Sequence, residues 1–270
     1  MSSNSGTKEI HFMGPLANVD TSILNINLDH GFEIHDISDE EAITLISALE
    51  RLPFEEILNQ LAGGNYLFQK RLYYIGNSFK SDIEMNDDGV LTEFPSGLAQ
   101  FSNNLFLGYL AHVIQLMRLF KEGNIFMPVV YYYFVDDSIP KCIMGGRALM
   151  HGFPPDLYTI ESSEISDLQI FLQNTKLPFK EPSLQLALGN FNLGYRFYNV
   201  NLSFLSLMIS LEALFNLSNT ELGYRISRSV AVLLGKDKED SARIFADVKN
   251  LYNKRSKFVH TGNSNTIEIE

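Results

Sequence analysis

The sequence lacks paired cysteines, a secretory signal and an apolar segment long enough to span a membrane. Its single cysteine, Cys142, excludes an internal disulfide and a cysteine-based zinc site, and it is typical of a reducing compartment. The first ten residues, MSSNSGTKEI, are polar and do not form a secretory signal. The longest apolar run, Ile125–Val135, contains Pro128 and is too short to span a bilayer. We therefore expect a soluble, cytoplasmic protein with no membrane contact.

Signature motifs of common enzyme classes are also missing. There is no nucleophile elbow, no zinc-protease helix motif and no dinucleotide fingerprint, and Gly145-Gly146-Arg147 lacks the lysine of a phosphate loop. His30 and His35 flank a turn that contains glycine and have no evident third ligand, so an exposed loop pair is favoured over a metal site. His112 is interpreted as a core histidine of an apolar helix. We predict no metal and no cofactor.

Positive charge is scarce over most of the chain. The net charge is −11, which argues against sequence-blind capture of nucleic acid by the whole surface. Residues 1–200 hold 12 basic against 24 acidic residues, whereas residues 201–260 hold 9 against 6. Only the C-terminal part therefore favours an anionic ligand.

The N-terminal part mixes strand and helix patterns. β-like runs cover Glu9–Met13, Ser22–Leu28 and Phe32–Ile37, and Val129–Val135 is predicted to pair with Lys141–Arg147 across a turn. Predicted helices cover residues 42–49, opened by a capping box of Ser38 and Glu41, then 53–61 and 105–120, while residues 66–75 are ambiguous.

From residue 165 onward helical patterns follow one another. Predicted helices cover 165–174, 182–199, 202–217 with an Asn201 cap, one ending at Gly235 that a Ser218–Glu221 capping box opens, and 237–262. The helix at 202–217 is apolar almost all round and is expected at the centre of a bundle. The fold class is thus α+β, with a mixed α/β domain over 1–164 and an all-α bundle over 165–270.

The last helix carries the candidate site. Asp237 is a plausible N-cap, and Phe245, Val248, Tyr252 and Val259 form one stripe that faces a core. Arg255 lies on this stripe and needs an acidic partner, a ligand phosphate or a neighbouring subunit. His260 follows five residues later, roughly 140° round an unbroken helix.

Glu212 is the only ionisable residue of the apolar helix at 202–217. One interpretation is a carboxylate bonded to neighbouring backbone. The other is a buried partner for Arg225, Arg228 or Arg255, and a structural partner is favoured over a catalytic role because buried carboxylates normally occur paired.

Three segments, LSFLSLMISLEALF (202–215), ELGYRISRSVAVLLG (221–235) and VKNLYNKRSKFVH (248–260), resemble the C-terminal helices of the HEPN superfamily, in its Apea-like branch. The likeness covers about residues 182–262. Its most specific element is an arginine followed after four residues by histidine, here Arg255 and His260. Two features depart from the family pattern: Ser256 follows the arginine where Asn or Asp is frequent, and only ten residues follow His260, so we expect a longer native chain or a shortened bundle.

The resemblance implies a homodimer in which the Arg/His pairs of two subunits meet and cleave RNA without metal. The chemistry suits the pair, since histidine can accept the proton of a ribose 2′-hydroxyl and arginine can bind two phosphate oxygens. Tyr252, Asn253, Ser256, Lys257 and Glu212 are the candidate supporting or substrate-binding residues.

We therefore predict an endoribonuclease, with the N-terminal domain binding a regulatory ligand or protein, in antiviral defence, as a toxin or in a stress response. The alternative is a non-catalytic HEPN-like interaction module. A cationic residue near a helix C-terminus is also stabilising in itself, by about 0.3–1 kcal/mol.

Overall fold

The computed structural model describes residues 4–50, 71–85, 105–147, 157–197, 199–215 and 221–261. They form a mixed α/β protein with a strand-rich N-terminal half and a helical C-terminal half. The chain divides into two compact units, unit 1 with residues 1–150 and 154–175, and unit 2 with residues 151–153 and 176–270. The predicted boundary at residue 165 thus lies before the observed division at Thr175 and Lys176. None of the described helices is both long and apolar enough to cross a membrane.

The described elements of unit 1 are five strands and three α-helices. The strands are β1 (Asn4–Leu16), β2 (Glu33–Ser38), β3 (Arg71–Met85), β4 (Val129–Asp136) and β5 (Ile139–Arg147). The helices are α1 (Asp39–Glu50), α2 (Leu105–Phe120) and α3 (Ile165–Asn174), with a short 3-10 helix at Thr21–Asn25.

One antiparallel sheet with the order β2-β3-β1-β4-β5 organises unit 1. Because successive side chains alternate between the two faces of a strand, Phe12 and Tyr132 pack towards α2, whereas Met13 and Tyr131 pack with α1. The central strands are therefore covered on both faces. Burial on both sides explains the continuous apolar run that predicts β4.

The β4–β5 hairpin confirms the predicted pairing. Asp137 and Ser138 at its tip have φ values of 47° and 66°, as a two-residue turn with left-handed backbone at both positions requires. Asp136 accepts hydrogen bonds from Lys141 Nζ at 2.7 Å and from Lys8 Nζ at 2.8 Å. These bonds, chiefly the one from Lys141, lower the pKa of Asp136 to about 2.

Local capping chemistry is confirmed at α1. The backbone N–H of Ser38 donates to Glu41 Oε2 at 3.0 Å, and the Glu41 N–H donates to Ser38 Oγ at 3.3 Å. This reciprocal pair is the capping box expected from the sequence.

The β-like run at Ser22–Leu28 is a wrong prediction. Asp20 accepts from the Ser22 N–H at 2.9 Å and starts the 3-10 helix instead, and the Ser22 hydroxyl accepts from the Ile160 N–H, also at 2.9 Å. Of the ambiguous residues 66–75, those from Arg71 onward belong to β3, while 66–70 lie outside the described residues, as does the predicted helix at 53–61.

Unit 2 is helical throughout its described part. It contains α4 (Pro182–Gly194), α5 (Val200–Phe215), α6 (Leu222–Leu234) and α7 (Lys238–Thr261). The helix predicted over 182–199 ends at Gly194, so it is shorter than expected.

Small residues bring α4 and α5 close together. Ser203 Oγ donates to the Gly194 carbonyl at 2.7 Å, and Ser210 Oγ donates to the Ala187 carbonyl at 2.8 Å. A Cβ at Gly194 would lie 2.9 Å from Leu207, so a larger residue would require the Leu207 side chain to shift. The buried face of α5 is therefore formed largely by serines.

The burial of α5 differs from the prediction. The helix lies against α4, α6 and α7, as a central helix should. However, four of its large aliphatic side chains are at least 37% exposed, namely Leu202, Leu207, Ile209 and Leu214. Complete burial of this apolar helix is thus not observed within the described part of one chain.

Two predicted caps in unit 2 are wrong. Asn199, not Asn201, caps α5, because its side-chain oxygen accepts from the N–H groups of Asn201 at 2.9 Å and Leu202 at 3.3 Å. Glu221 is the residue before α6, with φ 54° and no side-chain cap bond, and so cannot be the third helical residue of a capping box. Its predicted partner Ser218 lies outside the described residues.

Candidate active site

Helix α7 begins after the N-cap residue that the sequence predicts. Asp237 Oδ1 accepts from the Asp240 N–H at 2.8 Å, which confirms the predicted N-cap. Asp240 in turn accepts from Arg243 Nη2 at 2.6 Å, and this bond lowers the pKa of its carboxyl. The helix then continues without a break to Thr261.

The apolar stripe of α7 forms a small core with α6 and α5. Val248 is buried against Ile226 and Val230, and Tyr252 packs at the edge of this cluster. Val259, predicted to face the core, is 50% exposed. Gly223, the second residue of α6, already lies beside Tyr252, so α7 extends past the described start of α6 before it reaches Val259.

Arg255 pairs with an acidic residue, as expected from its position on the apolar stripe. Its Nη2 lies 3.3 Å from both carboxylate oxygens of Glu212 on α5. The side chains are 24% and 19% exposed, which makes the pair largely but not completely shielded. Of the three arginines considered as partners of Glu212, the structure pairs Arg255, so the predicted carboxylate–arginine pair is confirmed.

An aromatic ring also contacts the guanidinium of Arg255. The guanidinium carbon of Arg255 lies 5.9 Å from the centre of the Tyr252 ring, within the range of a cation–π contact. Within the described residues, the buried Nε has no hydrogen-bond partner, and none is found for Nη1. Glu212 therefore uses only Nη2 and leaves Nη1 for another acceptor.

Tyr252 is itself positioned by close contact with α6. A Cβ at Gly223 would lie 2.6 Å from Cδ1 of Tyr252 and 3.2 Å from its Cγ. Glycine at this position lets the ring approach the α6 backbone closely. Gly223, Tyr252, Arg255 and Glu212 thus form one packed group that joins three helices.

His260 lies apart from this group. It is exposed near the end of α7, and none of the described residues hydrogen-bonds its imidazole. Because the helix continues through residue 261, the two side chains remain separated by roughly 140° round its axis. Within the described part of one chain, no contact joins Arg255 to His260.

Of the five predicted supporting residues, two contact the side chain of Arg255. Glu212 and Tyr252 contact Arg255, whereas Asn253 and Lys257 are exposed and Ser256 is half-buried. The structure thus brings together three of the seven predicted site residues.

The other histidines within the described ranges do not form a site. His30 lies in a turn with φ 62° and packs edge-on against Tyr109, whereas His35 belongs to β2 and packs against Tyr74. The loop placement is therefore right for His30 and wrong for His35. His112 is only half-buried, which corrects its predicted place in the core, and His151 lies outside the described residues. No three His, Cys, Asp or Glu side chains among the described residues are grouped to hold a metal.

Arg118 is a buried cation that the sequence pattern did not single out. It is 5% exposed, and its Nε donates to the Ile125 carbonyl at 2.9 Å. The sequence does carry a signal for this residue, since a basic residue interrupts the apolar end of α2. The bond to Ile125 connects α2 to the segment before β4, so Arg118 has a structural role.

Comparisons with protein-family models, with curated proteins and with solved structures gave no match for this chain.

Proposed function

We propose that unit 2 is a metal-independent endoribonuclease of the HEPN type that acts as a homodimer, with Arg255 and His260 as its catalytic residues. The observation that supports the proposal most directly is the fixed guanidinium. Glu212 and Tyr252 hold Arg255 in one orientation, yet a quarter of its side chain remains exposed. Such a preorganised cation suits a phosphate whose charge increases in the transition state.

In the proposed reaction, the ribose 2′-oxygen attacks the adjacent phosphorus while its proton passes to an imidazole. The bond from phosphorus to the 5′-oxygen breaks, and a second imidazole protonates that leaving oxygen. The products are a 2′,3′-cyclic phosphate and a 5′-hydroxyl. Histidine suits both steps because it exchanges protons near neutral pH.

The homodimer belongs to the proposal for a geometric reason. Arg255 and His260 of one chain point to different sides of α7, so the arginine of one subunit would serve the histidine of the other. The exposed aliphatic side chains of α5 provide apolar surface for such an association.

Cleavage of labelled RNA in EDTA tests the proposal. We expect Arg255→Ala and His260→Ala to abolish cleavage, while DNA of the same sequence stays intact because it lacks the 2′-hydroxyl. Arg243→Ala is the matched control, because Arg243 lies on the same helix but is paired with Asp240 and Asp247. Cleavage that persists in both site variants would exclude this site.

A non-catalytic interaction module is the second candidate. It is favoured by the observation that Glu212 already neutralises Arg255 within its own unit. The end of α6 is also strongly apolar and open, with Val232, Leu233 and Leu234 between 60% and 74% exposed. Absence of RNA cleavage by the wild type, together with a stable complex with another protein, would support this candidate.

The regulatory role of unit 1, the cytoplasmic location and a function in defence, toxicity or stress all remain predictions. They derive from the HEPN resemblance and from the sequence, and the sheet of unit 1 adds no described site to them.

A further inference from the structure

A polar strip runs along the solvent side of α7, separate from the Arg255 stripe. Lys249, Asn253, Lys257 and His260 follow at intervals of four, four and three residues, and all four are exposed. At 100° per residue they lie within roughly 80° of the helix circumference. We call these four residues the α7 strip.

The strip is positively charged and lacks nearby acids on its own helix. Between Ala242 and Thr261 the only acidic residue is Asp247, which pairs with Arg243 Nη1 at 3.4 Å. The neighbouring helix α6 has no acidic residue at all. In a chain of net charge −11, this surface is therefore a local exception.

An aromatic pair adjoins the N-terminal end of the strip. Tyr224 on α6 packs edge-on against Phe245 on α7 with ring centres 5.6 Å apart, and it remains 49% exposed. Lys249 Nζ lies 5.8 Å from the centre of the Phe245 ring, which connects this pair to the strip. Arg228, exposed one turn after Tyr224, adds a second cation on the same face of α6.

We propose that single-stranded RNA binds along this surface, with a base against Tyr224 and its phosphates on Lys249 and Lys257, so that the strand reaches His260. The inference deepens the proposed endoribonuclease function by naming its substrate class. Cations that follow the backbone beside an exposed ring are the means by which proteins bind single strands. A duplex keeps its bases stacked inside and offers no face to Tyr224.

The dimensions agree with a short segment of strand. Lys249 and Lys257 are eight residues apart, about 12 Å along the helix axis, and His260 lies a further 4.5 Å or so beyond. Asn253 lies between the lysines, and its amide can donate to or accept from a base edge.

Binding can be measured apart from cleavage with a fluorescein-labelled 2′-O-methyl RNA, because the blocked hydroxyl prevents attack on phosphorus. Fluorescence anisotropy at several salt concentrations gives both the Kd and its salt dependence. We expect Lys249→Ala/Lys257→Ala to weaken binding at least tenfold and to reduce the slope of log K against log salt by about 1.4, or 0.7 for each lost phosphate contact.

Tyr224→Leu keeps an apolar side chain against Phe245 but removes the stacking face. It should weaken binding by about tenfold without changing the salt slope, because base stacking is not ionic. Lys176→Ala/Lys180→Ala is the matched control, since it removes two exposed lysines of unit 2 that lie outside α6 and α7. Circular dichroism of every variant verifies that the fold is retained.

The results separate this proposal from the nuclease proposal. Failure of the wild type to bind, equal weakening by the control, or tighter binding of duplex than of single strands would each overturn the single-strand surface. Strip variants that bind normally while His260→Ala abolishes cleavage would overturn the surface alone. Binding as expected without any cleavage of unmodified RNA would support the surface and refute the nuclease.

Discussion

Gly223→Ala tests the packing that positions Arg255. The added Cβ would lie 2.6 Å, 3.1 Å and 3.2 Å from Cδ1, Cε1 and Cγ of Tyr252. Rotation of the ring can move Cδ1 and Cε1 away but leaves Cγ at 3.2 Å, because Cγ lies on the axis of that rotation. The Tyr252 ring must therefore rotate or shift, and its contact with Arg255 changes with it.

The sign of the stability change follows from two opposing terms. Overpacking of a well-filled site costs about 1–3 kcal/mol. Replacement of glycine by alanine in a helix gains about 0.5–1 kcal/mol, with the smaller value expected here because Gly223 is the second residue of α6. We therefore expect Gly223→Ala to destabilise unit 2 by about 0.5–2.5 kcal/mol.

Gly189→Ala is the matched control, because a Cβ at this exposed position in α4 would have no atom within 4 Å. It should stabilise its helix by about 0.5–1 kcal/mol. The same substitution thus has opposite signs at two glycines of one unit.

Hydrogen exchange resolved by peptide is the suitable assay, because a chain with two compact units need not unfold in one step. We expect faster exchange in α6 and α7 of Gly223→Ala, and no further increase from Gly223→Ala when it is introduced into a Tyr252→Ala background that lacks the ring. If Gly223→Ala is as protected as Gly189→Ala, the close contact with Tyr252 is wrong, and the argument for a preorganised Arg255 is lost.

Two further predictions concern stability. Because the lysine bonds lower the pKa of Asp136 from 3.8 to about 2, its contribution to stability should be present above pH 4 and lost as the pH falls through 2. Thermal unfolding should therefore show Asp136→Asn less stable than the wild type near neutral pH, with a difference that shrinks as the pH falls from 4 through 2, and a difference constant with pH would contradict this account. Ser210→Ala removes the buried bond to the Ala187 carbonyl and should cost about 0.5–1.5 kcal/mol in urea unfolding, whereas no loss would mean that this bond does not hold α4 to α5.

Elements with a strong local pattern are those that the sequence predicted well. The bounds of α2 agree at Leu105 and Phe120, and the Ser38–Glu41 capping box forms as expected. In both cases the deciding interactions join residues a few positions apart, so they can be read directly from spacing.

Predictions failed where distant residues decide the structure. Most of the β-like run at 22–28 belongs instead to the 3-10 helix Thr21–Asn25, whose Ser22 hydroxyl accepts from the N–H of Ile160, a residue 138 positions away. Three leucines of α5, Leu202, Leu207 and Leu214, remain exposed while serines of the helix bond to carbonyls of α4. The bonds to Ile160 and to the carbonyls of α4 have no local signal.

At the candidate site too, the sequence predicted the local features and missed those that depend on distant residues. The sequence predicts the helix, its Asp237 cap and the need of Arg255 for a partner, because these follow from periodicity and from the cost of burying a charge. It could not choose among three arginines for Glu212, which is 43 residues from Arg255. The close contact of Gly223 with Tyr252 was equally hidden, since it depends on how two helices meet.

The Glu212–Arg255 pair sets a condition on any reaction at this site. A phosphate that approaches Arg255 also approaches the Glu212 carboxylate, whose negative charge opposes it. The anion must therefore bind the side of the guanidinium away from Glu212, through Nη1, or displace the carboxylate altogether. Glu212 orients the arginine and at the same time weakens its attraction for phosphate. Additional cations are then needed to retain RNA, and the α7 strip offers two of them on the side where His260 is exposed.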